Sequence, residues 1–496
     1  MNRLLRLVMP IACAVAFGGC ATYQVNEPLE KIDTEAGYRL NNRELGPGNS
    51  DEVFVVLALS GGGTRAAALD FGVIRQLDRV RFGEDGRSLL DEVDIISSSS
   101  GASLPAAYYG LFGKDAFIDN FAEDVLYRPI QSALQRSVLN PVHWPRLMSG
   151  TFSRGDLFAE YLDEHIYDGK TFADMSPARP LILLNATDIG MGASFSFTQG
   201  AFDLLCSDIS NYSVSRAVTA SMAFTPAFTP ITLKNYNDGH CGDTGHDWAY
   251  EAIAQGVEAD PHVYAAAVDI LSYKDIAKRP YVHLLDSGIA DNIGIRTPTL
   301  AFQVRDAPAS QVGRIQDGTI QKLVFIIVNA RPKADFAPDL SPKPPGAITS
   351  VKASASRPLA NYSYETINLV RRDIADARRR IALYHDQRRL CVEHAEAMCA
   401  STDEADACHE EVRTSCFKEF GVSSDTYPKD LDIYLVHLSF DLIDDEPRRE
   451  YFEKIPTKLQ LPQDDIDALI ELAPELLGEE PEFRHLVMDL GAEFDR

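Results

Sequence analysis

The chain has 496 residues, 45 % hydrophobic and 24 % charged, an ordinary balance for a folded protein and enough length for one large domain with additions. Its formal net charge of −26 excludes nucleic acid as a partner, because a polyanion would be repelled. The same charge argues against loose electrostatic adhesion to anionic lipid, so work at a membrane needs another tether.

The first residues offer one. Two arginines, Arg3 and Arg6, precede the short apolar run 7–17 and the tripeptide Gly18-Gly19-Cys20. A basic start, a short apolar centre and small residues before a cut mark a secretory signal. The run is too short to span a bilayer. Its end resembles a bacterial lipoprotein signal, which implies removal of residues 1–19 and lipidation of Cys20. Phe17 stands where such signals usually carry leucine, and cleavage as an ordinary signal peptide is the alternative. The expected location is the cell envelope, lipid-anchored at the outer membrane and facing the periplasm.

Residues 21 to about 50 are polar, without a sustained period, and read as a tether. Val53-Phe54-Val55-Val56-Leu57-Ala58-Leu59 is a continuous apolar run, the pattern of a strand buried on both faces. Ser60-Gly61-Gly62-Gly63 follows, then helical apolar spacing over 66–80. The unit recurs: Val93-Asp94-Ile95-Ile96 leads through Ser97–Ser100 and Gly101 into a small-residue helix over 102–111. Further strands are expected at 180–185, 281–285, 323–328 and 433–438. Such alternation predicts an α/β fold with a mostly parallel sheet covered on both faces. Residues 340–357, rich in Pro, Ser and Lys, read as a linker or loop. Residues 362 to about 420 read as helices, with Arg371, Arg372, Arg378, Arg379 and Arg380 on a solvated face.

Two positions carry chemistry. Ser100 lies between a predicted strand and a predicted helix, where a sharp turn exposes its hydroxyl near a helix N-terminus. Gly61-Gly62-Gly63-Thr64-Arg65 ends another strand and offers unobstructed N–H groups that can stabilise an oxyanion, roughly 3–4 kcal/mol per donor. Phosphate binding would use similar geometry, but neither Gly-Lys-Ser/Thr nor G-x-G-x-x-G spacing is present.

Leu59-Ser60-Gly61-Gly62-Gly63-Thr64-Arg65, then Ile96 to Ser103, then Leu285-Asp286-Ser287-Gly288-Ile289-Ala290-Asp291-Asn292 resemble the three ordered motifs of patatin-like phospholipases. The resemblance runs from about residue 53 to 300 and resumes near Ile455-Pro456-Thr457. It implies a three-layer α/β/α fold and a serine acyl hydrolase acting on carboxylic esters of membrane lipids, with no metal or organic cofactor. By position, Ser100 is the nucleophile, Asp286 its base, Gly61, Gly62 and Gly63 the oxyanion hole, and Arg65 the residue that orders that loop. Ser287 and Ala102 stand where the family commonly has glycine, each adding a side-chain carbon where the backbone turns tightly. A catalytically silent lipid-binding lipoprotein and an acyltransferase are the alternative readings. A carboxylate with an ordinary pKa of about 3.9 must be partly buried to serve as a base, and Leu284 and Leu285 suggest such burial. The stretch 218–228 also resembles a family segment and supplies small and apolar residues suited to an acyl chain. Asp238-Gly239 is the weaker candidate base, His283 reads as a strand residue, and metal binding by His240, Cys241, Asp243, His246 and Asp247 ranks behind a Cys206–Cys241 disulfide.

Beyond Cys20 six cysteines remain, an even number suited to an oxidising compartment. Two antiparallel helices joined near 401–405 would pair Cys391 with Cys416 and Cys399 with Cys408, one of three possible connectivities. The expected organisation is signal 1–19, tether 20–50, catalytic core 51–340, linker and four-cysteine helical insertion 341–430, and a C-terminal strand and helices 431–496 that complete the core.

Overall fold

A computed structural model describes residues 26–494 except 226, 243–245, 305–308, 333–336, 341, 345, 401–404 and 421–430. The signal, Cys20, Asp243 and the joint at 401–404 lie outside the described residues.

The apolar runs become an eight-stranded sheet. Its strands are β1 (Val53–Leu59), β2 (Val93–Ser98), β3 (Leu181–Asp188), β4 (Ala193–Ser196), β5 (Ile231–Lys234), β6 (Tyr281–Leu285), β7 (Lys322–Asn329) and β8 (Asp432–Ser439). The spatial order is β8-β7-β1-β2-β3-β6-β5, with β4 paired to β3. The five from β8 to β3 are parallel, and β4, β6 and β5 add antiparallel pairs. Every residue of β1 is buried, as its unbroken apolar run requires for a strand covered on both faces. The β1–β2 register shifts between Val55 and Val56, and the Val55 N–H there donates to the Asp94 carboxylate at 2.8 Å. Arg179 pairs with the same carboxylate at 2.6 Å.

Helices flank this sheet, in line with the sequence pattern. α1 (Thr64–Leu77) crosses between β1 and β2, and α2 (Ser103–Phe121) follows β2. α3 (Val214–Ser221) packs on β3, and α4 (Ala347–Cys399) packs against β8. α5 (Ala405–Glu419) folds back on α4, and α6 (Gln463–Glu479) lies against α1. There the approach is close, because a Cβ on Gly72 would sit 2.6 Å from the Ile470 carbonyl oxygen. Among the described residues no helix is long and apolar enough to cross a membrane.

Two expectations need correction. Residues 26–50, read as tether, lie on the domain. Glu27 pairs with Asp208 and Pro28 with Ser207, Tyr38 and Leu40 are buried, and Arg39 bonds Asp203 at 2.6 Å. Two buried apolar side chains and one buried ion pair, dispersed among polar residues, leave no periodic signal. Residues 347–357, read as linker, are the first turns of α4. Its prolines at 342, 344 and 345 precede the helix, and the Ala and Lys that follow favour it.

α4 runs for 53 residues, about 80 Å at 1.5 Å per residue. Disulfides Cys391–Cys416 and Cys399–Cys408 lock its end to α5, and Cys206–Cys241 closes a loop of the core, all as expected.

Candidate active site

Ser100 follows β2 by two residues, at the C-terminal end of the parallel strands. Its φ is +50°, a left-handed conformation that a side chain adopts at some cost. One 3-10 turn, Ser100–Ala102, then carries the chain into α2. The strain is held by hydrogen bonds. The Ser100 N–H donates to the Ser287 hydroxyl at 2.7 Å and to the Ser221 hydroxyl at 3.0 Å. Ser99 and Ser287 hydroxyls bond at 2.7 Å, and the Ser103 hydroxyl donates to that of Ser221 at 2.8 Å. The turn points the Ser100 hydroxyl at the Asp286 carboxylate, which accepts its proton bond at 2.9 Å.

Asp286 comes directly after β6, whose antiparallel register sets Leu285 opposite Thr187 of β3. The Thr187 hydroxyl donates to the Asp286 carbonyl at 2.8 Å and fixes the backbone there. One carboxylate oxygen receives Ser100; the other accepts the Gly288 N–H at 2.9 Å. The residue is 5 % exposed. Burial raises its pKa from 3.8 to about 6, against the opposing pull of the Gly288 and Ser100 hydrogen bonds.

The glycine loop lies beside this pair. Gly61 has little room: a Cβ there would meet the Asn292 side-chain oxygen at 2.4 Å and the Ser100 Cβ at 3.2 Å. Its N–H donates to the Asn292 carbonyl at 2.9 Å, which removes Gly61 from the expected donor set. Gly62 and Gly63 keep N–H groups without a hydrogen-bond partner among the described residues, as does Gly101, which sequence reading passed over. Gly63 has φ +61°, and Gly101 packs so tightly on it that a Cβ would lie 2.4 Å from the Gly63 carbonyl oxygen. Arg65 is fully buried beneath the loop, donating to the carbonyls of Ala330 and Ile455. Burial lowers its pKa to about 10.

The two departures noted in the sequence are accommodated. Ser287 adopts φ −60°, ψ −27° and Ala102 φ −66°, ψ −15°, ordinary right-handed values that need no glycine. Ser287 in fact holds the serine turn. Ser221 shares that task, yet it lies 121 residues from Ser100 inside a stretch read only as apolar wall; no local signal marks it. Phe228 from the same stretch stacks on Phe158 at 5.0 Å. Asp238 is exposed and pairs with His240, apart from the serine, and His283 bonds Thr232 on the neighbouring strand at 2.9 Å.

Residues 57–298 match the family model described as patatin-like phospholipase. No curated protein matches the chain. Among solved structures, human GIVD cytosolic phospholipase A2 aligns at a TM-score of 0.32 and 12 % identity, covering 62 % of this chain and 48 % of that one. The chain thus spans about half the length of that protein.

Proposed function

We propose that this chain, which carries a patatin-like phospholipase domain over residues 57–298, is an active serine acyl hydrolase that cleaves carboxylic esters of membrane lipids. The observation that carries the reading is the 2.9 Å bond from the Ser100 hydroxyl to a buried Asp286 carboxylate. A serine hydroxyl becomes nucleophilic when a base accepts its proton during attack. With a pKa of about 6, Asp286 is ionised at neutral pH and more basic than an exposed carboxylate. As Ser100 adds to the ester carbonyl, the N–H groups of Gly62, Gly63 and Gly101 receive the developing oxyanion. The proton held by Asp286 passes to the departing alcohol, and water, deprotonated by the same carboxylate, releases the acyl group from Ser100.

The test compares labelling by a fluorophosphonate probe and release of fatty acid from phospholipid by wild type, Ser100→Ala and Asp286→Asn. Loss of both signals in Ser100→Ala, with hydrolysis reduced at least a hundredfold in Asp286→Asn, is expected. Equal turnover in all three would end the assignment. An adduct without fatty-acid release, but with ester formed on an added alcohol, would make the protein an acyltransferase.

The working place we infer is the outer membrane, facing the periplasm, with Cys20 lipidated. Three disulfides fit an oxidising compartment. Cys20→Ala should move the protein from the membrane fraction to the soluble periplasm; unchanged fractionation would sink the anchor.

A further inference from the structure

The surface holds a second feature suited to a bilayer. Between Arg128 and Arg154 the chain forms three short helices, Ile130–Leu139, Pro141–His143 and Trp144–Leu147. Leu139 is 73 % exposed, Val142 76 %, Trp144 51 % and Met148 87 %, four large apolar side chains projecting from one stretch of ten residues. Singly exposed apolar residues are ordinary, but such a cluster headed by tryptophan marks an interaction surface.

Charge is the independent observation. The chain has 73 Asp and Glu, yet residues 125–155 contain none, while they carry Arg128, Arg136, Arg146, Arg154 and His143. Arg128 and Arg146 reach back to Asp124 and Glu160 at the segment's flanks. Arg136 is exposed and has no ion pair among the described residues. An acidic protein therefore presents an apolar projection in a segment that carries cations and no carboxylates of its own, complementary to a surface of phosphates over acyl chains. Two polar groups of the projection already have partners within it. The Trp144 ring N–H donates to the Val138 carbonyl at 3.2 Å, and the Asn140 side chain accepts the Val142 N–H at 3.1 Å.

Its place in the fold adjoins the catalytic loops. The Ser132 hydroxyl donates to the Gln460 side chain at 2.9 Å, and two residues before it the Lys458 carbonyl accepts the Thr64 N–H at 2.8 Å, next to Gly63. Helix Ile130–Leu139 also packs on Arg154–Leu162, which packs on α3, whose last residue Ser221 bonds Ser100.

We propose that residues 139–148 are the surface by which the protein docks on a phospholipid bilayer, delivering lipid to the Ser100 site. The inference rests on the lipid-hydrolase reading for its purpose but not for its test. The chain has two tryptophans, so Trp248→Phe leaves Trp144 as the reporter. Cys20→Ala in the same full chain removes any contribution from an N-terminal lipid. With vesicles of phosphatidylcholine and phosphatidylglycerol, the emission of Trp144 should shift to the blue and be quenched by brominated acyl chains. Leu139→Glu with Met148→Glu should weaken vesicle partition at least tenfold and lower the ratio of vesicle to soluble-ester turnover by a similar factor, at unchanged melting temperature. Unshifted emission, or partition unaffected by the two glutamates, overturns the proposal, as would protection of this segment by a protein partner alone. A blue shift without any Ser100-dependent hydrolysis would leave the docking surface standing and remove the hydrolase; soluble-ester turnover without a shift would do the reverse.

Discussion

The Ser287 hydroxyl accepts the backbone N–H of Ser100 at 2.7 Å and bonds the Ser99 hydroxyl at the same distance, so the residue after Asp286 holds the turn that presents the Ser100 hydroxyl. Ser287→Ala removes this acceptor and leaves Ser221, at 3.0 Å, as the remaining one. A hydrogen bond of about 1–1.5 kcal/mol corresponds to roughly a tenfold loss in rate. The expected outcome is a tenfold lower kcat with KM nearly unchanged, measured on a soluble ester. A raised KM with kcat intact would place Ser287 against substrate instead.

The pH profile follows from Asp286. The proposed mechanism requires Asp286 to be ionised, and burial raises its pKa to about 6. kcat/KM should therefore rise tenfold per pH unit below 6 and level off above it. The stability effect has the opposite sense. The folded pKa lies above the ordinary value, so the native state binds more protons than the unfolded one between about pH 4 and 6, and stability falls as pH rises through that window. Asp286→Asn should therefore raise Tm at pH 8, by an energy of about 3 kcal/mol at most, and leave it unchanged near pH 4. A flat Tm difference across this range would contradict the burial of an ionised group.

Gly101 has no room for a side chain. A Cβ would stand 2.4 Å from the Gly63 carbonyl oxygen and 2.5 Å from its Cα, and backbone cannot yield as a flexible side chain can. Gly101→Ala must push the serine turn away from the glycine loop, separating the Ser100 hydroxyl from the Gly62 and Gly63 N–H groups. Soluble-ester turnover should fall at least a hundredfold. Wild-type turnover in that variant would show that the two loops do not act together.

Arg65 joins the glycine loop to the ends of β7 and the 455 segment through the Ala330 and Ile455 carbonyls. Arg65→Met leaves two buried acceptors without donors, costing about 3 kcal/mol. Tm should drop by on the order of 3 °C, and turnover should fall with it. Arg65→Lys, able to reach one carbonyl, should recover part of the loss.

The α4–α5 hairpin is held by bridges with sequence separations of 25 and 9. The longer contributes about 3 kcal/mol by restricting the unfolded hairpin. Cys391→Ser with Cys416→Ser should open the hairpin to trypsin at Arg388, Arg389 and Arg413 while ester turnover stays at the wild-type level. Lost turnover would assign this hairpin a part in catalysis.

Much of this was legible before any coordinates. The strands at 53–59 and 281–285 need no adjustment, because fully buried runs and a strand ending in a turn leave local marks in composition. Cysteine spacing left three connectivities for the helical hairpin, and the structure shows the one that two antiparallel helices favour. The packing of residues 26–50 left none, since its contacts reach more than a hundred residues along the chain, as from Tyr38 to Ile182.

The sequence by itself determined the residue types of the site: a serine and an aspartate at strand ends, glycines where the backbone must approach, and apolar runs around them. Only tertiary structure decided which of these work together. The antiparallel pairing of β6 with β3 brings Asp286 to Ser100 across 186 residues. The same packing gives the Gly61 N–H to Asn292, leaves those of Gly62, Gly63 and Gly101 open among the described residues, and draws Ser221 and Ser287 around a strained turn. Hydrogen bonding and burial depend on distance in space, and a linear pattern of residue types does not carry that distance.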